Sequence, residues 1–157
     1  METAFIKTPL GVAKIEGDEN GVSVISILDD TASVSKEIPE NLKLAVSELN
    51  DYFDGKRFDF SFPTNPTGTE FQKNVWKELV QIPFGKTTSY MDLSKKLGDV
   101  KAIRAVASAN GKNPLWIVVP CHRVIGSNGS LTGYAGGLWR KKWLLEHETP
   151  PTQQSLF

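Results

Sequence analysis

The run Ile117-Val-Val-Pro-Cys-His-Arg-Val124 restricts this chain more than any other stretch. Three β-branched residues in a row favour a buried strand, and Pro120, which has no N–H to give to a ladder, must end it. The chain's single cysteine, Cys121, is therefore expected at the tip of a rigid strand, followed at once by an imidazole and a guanidinium. A lone cysteine has two readings: a small buried core residue, or a reactive thiol whose pKa falls beside cations, the thiolate being the nucleophile. Proline before it and His-Arg after it favour the second.

The same counts narrow the class. One cysteine rules out an internal disulfide framework and fits a reducing compartment. With two histidines it leaves too few ligands for a zinc cluster, so no metal is expected. No apolar run reaches signal-peptide or membrane-span length, so the expected location is the cytoplasm, or the nucleus in a eukaryote, with no membrane partner. Residues 1–66 carry 6 Lys/Arg against 12 Asp/Glu, and residues 67–157 carry 12 against 6. Either the second part faces a polyanion, or the two parts attract one another.

The fold class expected is α+β: a small N-terminal sheet-and-helix domain followed by a helical domain that carries the active-site strand. Alternation and glycine turns predict two or three strands over residues 7–28, and a helix over 41–53 with Leu42, Val46, Leu49 and Phe53 on one face. Residues 58–62 alternate again and suggest another strand. Residues 1–66 thus read as a scaffold domain ending in the linker Pro63-Thr-Asn-Pro66, residues 67–149 as the second domain, and 150–157 as a flexible tail. In the second domain a helix near Thr69 buries Phe71, Val75 and Leu79. Two short helices follow, over 89–97 and from Asp99 to about 110, joined at Gly98. Their spacing is that of a helix-turn-helix in a winged-helix-like setting, a pattern shared with many αα-hairpins. A last amphipathic helix covers 138–147, with Trp143 and Leu144 inward.

Placed at 100° intervals, Ile103, Val106, Ala107 and Asn110 fall on the core side of the second short helix. Lys101, Arg104, Ala105 and Ser108 fall on the other side. That exposed face has two cations, small side chains and no acid, which suits close approach to a phosphate backbone and entry to a minor groove.

Taken together, Pro120-Cys-His-Arg-Val124, Asn113-Pro114, Tyr134-Ala-Gly-Gly137 and Trp143-Leu-Leu145 resemble the O6-alkylguanine-DNA alkyltransferases, in order over residues 68–148. The resemblance implies direct-reversal repair, in which an O6-alkylguanine, or less well an O4-alkylthymine, is flipped out of duplex DNA and its alkyl group moves to Cys121. His122 resembles the general base acting through a water, Glu148 the carboxylate that orients it, and Tyr90 the proton donor to guanine N3. Asn113 is similar to the asparagine that ties the recognition-helix turn to the active site. Arg104 resembles the arginine that takes the place of the flipped base, with Lys101, Ala105, Ser108, Tyr90 and Arg123 as further DNA contacts. Val124, Tyr134, Ala135 and Gly136 would line the guanine pocket, and Trp116 would stand at its entrance. Some relatives have a serine at the position of Ala135 and a smaller residue at that of Trp116, which leaves the tolerated adduct size open.

The resemblance further implies no cofactor, a monomer, and a thioether product, so that each molecule acts once. A damage-sensing binder without transfer and a cysteine hydrolase are the competing classes; the cysteine itself argues against the first. The tail Gln153-Gln-Ser-Leu-Phe157 is similar to the short peptide by which bacterial repair proteins dock on the sliding clamp, although five residues also recur by chance.

Overall fold

Tight turns at Thr8 and Asp18 fold the start of the chain into a meander. Thr8 Oγ1 donates to Gly11 O (2.7 Å) and accepts from Leu10 N–H, and Asp18 Oδ1 accepts from Asn20 N–H (2.9 Å). β1 (Glu2–Thr8), β2 (Gly11–Asp18) and β3 (Gly21–Leu28) pair antiparallel in that order. Ala4 faces Ile15 and Ile15 faces Ile25, so the register lines up one buried apolar row across the sheet. The structure, a computed structural model, describes residues 1–28, 33–126, 134 and 137–149. They form two compact units: Met1–Thr67 with Pro114–Val118, and Gly68–Asn113 with Val119–Phe157.

In the first unit the sheet is joined by α1 (Lys43–Phe53), which follows a 3-10 turn at Glu40–Leu42. Leu42, Ala45, Leu49 and Tyr52 are buried, while Val46 is half-buried, so the helix is rotated slightly from the expected stripe. The strand expected over residues 58–62 does not form. Glu48, itself buried on α1, accepts from the Ser61 backbone N–H (2.7 Å) and hydroxyl, and the Phe60 ring lies 5.6 Å from that of Tyr52. Alternating aromatics are therefore held by the helix and not by a ladder. The expected linker is pinned as well: Val22 N–H donates to Pro63 O (2.9 Å) and Asn65 N–H to Val22 O (2.7 Å). Gly21, at φ +132, allows this, because a Cβ there would come within 3.0 Å of the Pro63 carbonyl.

Residues 114–118 are the larger departure. The Ile25 N–H donates to Pro114 O (2.8 Å) and the Trp116 N–H to Ile25 O (3.0 Å), and the Trp116 ring lies against Phe53 (6.1 Å). The chain then bends where a strand was expected. Val118 N–H donates to Trp116 O (2.9 Å) across Ile117, whose φ is +72. This is the rarer, strained kind of γ-turn, on a β-branched residue that costs about 1–3 kcal/mol in such a conformation.

The second unit opens with α2 (Glu70–Leu79). Thr69 Oγ1 accepts from Gln72 N–H (3.1 Å) while Gln72 Oε1 accepts from Thr69 N–H (2.9 Å), a complete capping box. Val75, Trp76 and Leu79 are buried, but Phe71 is exposed, contrary to expectation. α3 (Tyr90–Lys96) is capped by Ser89, which accepts from Asp92 N–H (3.0 Å). Gly98 (φ +89) ends it, Asp99 caps the next turn through Lys101 N–H (2.9 Å), and α4 (Ile103–Gly111) follows. Trp76 Nε1–H donates to Ala109 O (2.8 Å) and fastens α2 to the end of α4. β4 (Thr88–Ser89) and β5 (Val124–Ile125) form a short parallel ladder, and α5 (Leu138–Glu148) closes the unit with Leu144 and Leu145 inward and Trp143 half-buried. No described helix is long and apolar enough to cross a membrane.

Candidate active site

Cys121 stands on a tight turn and not at a strand tip. Pro120 (φ −81, ψ 64) is the centre of an inverse γ-turn in which Cys121 N–H donates to Val119 O (2.8 Å). Arg123 N–H then donates to Pro120 O (3.0 Å), giving a 3-10 turn over Cys121–Arg123. Asn113, just past α4, gives its Nδ2 protons to Val119 O (2.7 Å) and to the Cys121 sulfur (3.4 Å). One amide thus ties the end of the helix-turn-helix to the thiol. Pairing of Thr88 with Val124 and Ser89 with Ile125 sets Tyr90, the first residue of α3, one position past the ladder that leaves the cysteine turn.

Behind the thiol lies a polar relay. His122 is fully buried, and its Nε2–H donates to Glu148 Oε2 (2.8 Å). That bond fixes the tautomer, so Nδ1, which makes no hydrogen bond among the described residues, carries the free lone pair. Glu148 is the last residue of α5 and is also gripped by Arg123, whose Nε (2.7 Å) and Nη2 (3.0 Å) each donate to one of its oxygens. Arg123 Nη1 donates to Ile82 O (2.7 Å). The guanidinium was expected on DNA; it is buried here, with its donors spent on the interior, so that assignment is corrected. Charge-assisted, bidentate geometry of this kind is rigid.

The electrostatics follow from burial. Burial pushes the Cys121 thiol above its ordinary range, only partly offset by the Asn113 hydrogen bond and the Lys141 charge. The expectation of a thiol lowered by its sequence neighbours is overturned, because His122 and Arg123 both turn to Glu148. Burial also lowers His122, outweighing the opposing pull of Glu148, so the imidazole is neutral at neutral pH. Burial alone would raise the Glu148 carboxyl; its bonds to His122 and Arg123 hold it down to about 2.

Sequence reasoning missed Lys141. It is fully buried on α5, on the same stripe as Leu144, Leu145 and Glu148, and its charge bears on Cys121. The spacing i, i+3, i+4, i+7 would have found it had the helix been carried through to Glu148.

Lys101, on the 3-10 turn Val100–Ala102, is exposed, as are Arg104, Ala105 and Ser108 on α4, opposite the buried Val106, Ala109 and Asn110. Val124 is buried on β5 and Tyr134 is half-buried, whereas Ala135, Gly136 and the tail at 153–157 lie outside the described residues. Trp116 is a buried residue of the first unit, its ring against that of Phe53.

Fold and site first define a class: proteins that hold one thiol, with a His–Glu relay behind it, at the end of a helix-turn-helix. Residues 70–150 match the family described as 6-O-methylguanine DNA methyltransferase, DNA binding domain, and residues 1–66 match its ribonuclease-like domain. The chain belongs to the 6-O-methylguanine DNA methyltransferase family. It is 41% identical over 155 residues to the methylated-DNA–protein-cysteine methyltransferase of Methanosarcina acetivorans, covering 94% of this chain and 98% of the relative. The crystal structure of Mycobacterium tuberculosis O6-methylguanine methyltransferase is similar with a TM-score of 0.84 at 39% identity, covering 99% of this chain and 98% of that one. The M. tuberculosis OGT solved in complex with DNA has a TM-score of 0.85 at 38% identity, with both chains covered in full.

Proposed function

We propose that this protein repairs DNA by direct reversal, taking the alkyl group of O6-alkylguanine, and less well of O4-alkylthymine, onto Cys121. The observation that carries the reading is the cluster in which Asn113 donates to the Cys121 sulfur while the next residue, His122, donates to a Glu148 carboxylate that Arg123 also holds. It supplies nucleophile, base and orienting carboxylate in one buried unit. Residues 67–149 bind the duplex and accept the group.

The exposed face of α4 lies against the minor groove, with Arg104 entering the stack vacated by the flipped nucleotide and Lys101, Ala105 and Ser108 along the backbone. Flipping costs a few kcal/mol, less for a pair already weakened by alkylation. The base is held by the backbone around Val124, Ala135 and Gly136 and by Tyr134. His122 Nδ1 takes the Cys121 proton through a bridging water, and Glu148 stabilises the imidazolium. The thiolate attacks the alkyl carbon, the carbon–oxygen bond breaks, and Tyr90 gives its phenolic proton to guanine N3. The products are guanine and a thioether that water does not cleave, so one molecule acts once, as a monomer. This chemistry belongs where the DNA is, in the cytoplasm or, in a eukaryote, the nucleus.

Intact-mass spectrometry after mixing with O6-methylguanine duplex tests the reading. A gain of about 14 Da on Cys121, ending at one equivalent, is expected for a covalent acceptor that is not regenerated. An unmodified cysteine, or repeated turnover, refutes it. We also infer that the tail at 153–157 docks on a sliding clamp; unchanged clamp affinity after its deletion would count against that.

A further inference from the structure

Behind the relay runs a segment to which the transfer chemistry gives no role. α2 ends at Leu79, and the chain then turns at Pro83–Lys86, where Lys86 N–H donates to Pro83 O (3.0 Å). Gly85 is the third residue of that turn, at φ +81, a left-handed value that one common class of turn requires at this position. Three groups of the segment meet the relay. Ile82 O accepts from Arg123 Nη1 (2.7 Å). The Phe84 ring lies on the Arg123 guanidinium, whose carbon is 5.8 Å from the ring centroid. Gly85 comes so close to the end of α5 that a Cβ there would stand 3.1 Å from Glu148 O. A guanidinium hydrogen-bonds at its edges and not at its faces. Glu148 and Ile82 O engage the edges of Arg123, so an aromatic ring is the group suited to cover a face. Further along, the same segment pairs as β4 with β5 and delivers Tyr90 at the start of α3. Residues 82–90 thus run beside residues 123–125.

We propose that this segment is the seat of the relay, with Phe84 and Gly85 as its positioning residues. This rests on the reading of His122 as the base of the transfer. Phe84 acts through Arg123: covering one face of the guanidinium holds it in the plane where two of its donors meet the Glu148 carboxylate (2.7 and 3.0 Å). Gly85 acts through Glu148: without a Cβ the turn approaches the backbone at the point where α5 ends, which sets how far the carboxylate reaches toward His122 Nε2 (2.8 Å). The tolerance is small, because a misplacement of about 1 Å in a positioning group can cost a reaction about a hundredfold. Seat and proton donor lie on one segment, so a shift of the turn is passed through β4 to Tyr90 as well as to the imidazole.

Two readouts separate such a seat from ordinary packing. Arg123 Hε is the proton given to Glu148 Oε1, and its exchange with water, followed in 1H–15N spectra of the whole chain, needs no DNA. Single-turnover transfer from O6-methylguanine duplex gives the rate at saturating duplex and, separately, the duplex concentration that gives half of it. Phe84→Leu keeps an apolar side chain but loses the ring face; Phe84→Tyr keeps the face. The leucine variant should speed Hε exchange and slow saturated transfer, each by about three- to tenfold, with the half-saturating concentration changed by less than about twofold. The tyrosine variant should restore both. A leucine variant equal to the parent, or a tyrosine variant equal to the leucine one, overturns the proposal. Gly85→Asn tests the second contact, because asparagine tolerates a positive φ yet carries a Cβ. Its exchange and transfer should change in the same direction as in Phe84→Leu, and parent values overturn the proposal. If no form of the protein transfers a methyl group, the parent included, the repair reading fails, and the Hε exchange rates still decide whether Phe84 and Gly85 seat the relay.

Discussion

Replacing Arg123 separates a residue that holds the site together from one that touches DNA. Arg123→Met leaves the Glu148 carboxylate buried against a neutral imidazole and Ile82 O without its donor. Removing one partner of a buried ion pair typically costs about 3–5 kcal/mol. The pH dependence comes from Glu148, whose carboxyl is held down to about 2 against burial by His122 first and Arg123 second. Relative to an ordinary glutamate that is roughly 3 kcal/mol of stability at neutral pH, since each unit is worth about 1.4 kcal/mol. The depressed carboxyl stabilises the fold above about pH 4.5, and that contribution is lost as pH falls toward 2. In Arg123→Met the carboxyl keeps its His122 hydrogen bond but loses the guanidinium, so it is less depressed and this acid limb should become shallower. Urea unfolding of the whole chain at pH 7.5 and pH 4 reads both effects, and anisotropy on duplex DNA across a salt series reads the alternative. The expected result is a loss of about 3 kcal/mol at pH 7.5, a smaller loss at pH 4, and an unchanged salt slope. Stability within 1 kcal/mol of the parent, together with a salt slope reduced by about one, would refute the buried-clamp account and return Arg123 to the phosphate backbone.

Three further outcomes follow from the geometry. Ile117→Gly should be more stable than Ile117→Ala by about 1 kcal/mol in urea titrations, reversing the ordinary order, because φ is +72 there; alanine as the more stable variant would remove the strain argument. Asn113→Ala deprives the sulfur and Val119 O of their shared donor, so methyl transfer at pH 7.5 should slow by about tenfold or more while the pH midpoint of the Cys121 reaction with iodoacetamide rises; an unaltered midpoint would show that the amide does not bear on the thiol. The methyl-transfer rate should stay level as pH is lowered to the ordinary imidazole range and fall only below it, since burial depresses His122; a fall beginning above pH 7 would mean that another group is the base.

What the sequence disclosed depended on how local each determinant is. Helix faces are set by residues a turn apart, so the exposed Lys101, Arg104, Ala105 and Ser108 and the cap at Asp99 were legible from spacing. A strand needs a partner. Residues 117–119 have the propensity, but hydrogen bonding to Ile25 uses Pro114 and Trp116 instead, and the chain turns at Ile117. The relay was legible through a resemblance to known alkyltransferases, not from spacing alone, because Glu148 and Cys121 are far apart in the chain. The thiol's electrostatics were misjudged for the same reason: adjacent residues were taken as adjacent charges. His122 and Arg123 follow the cysteine directly, yet both face Glu148, while the cation that bears on the sulfur comes from the middle of α5.

That arrangement fits a reagent better than it fits a catalyst. A thiol that turns over can afford to rest as the thiolate, because an accidental reaction is one loss among many cycles. A thiol that reacts once is consumed by any electrophile it meets, so it is best kept protonated until the right carbon is in place. Cys121, 8% exposed and raised by burial, meets that requirement. In the proposed mechanism the opposite requirement, ionisation on demand, falls to a neutral His122 whose Nδ1 makes no hydrogen bond among the described residues, an ionised Glu148, and Arg123 holding that carboxylate in place. In that mechanism no side chain of the relay has to be reorganised before the proton moves, and burial of the sulfur opposes its ionisation. Enlarging access to the thiol should therefore raise its background reaction with simple electrophiles more than its reaction with lesion DNA, and the ratio of the two rates measures how much of the site's selectivity resides in that burial.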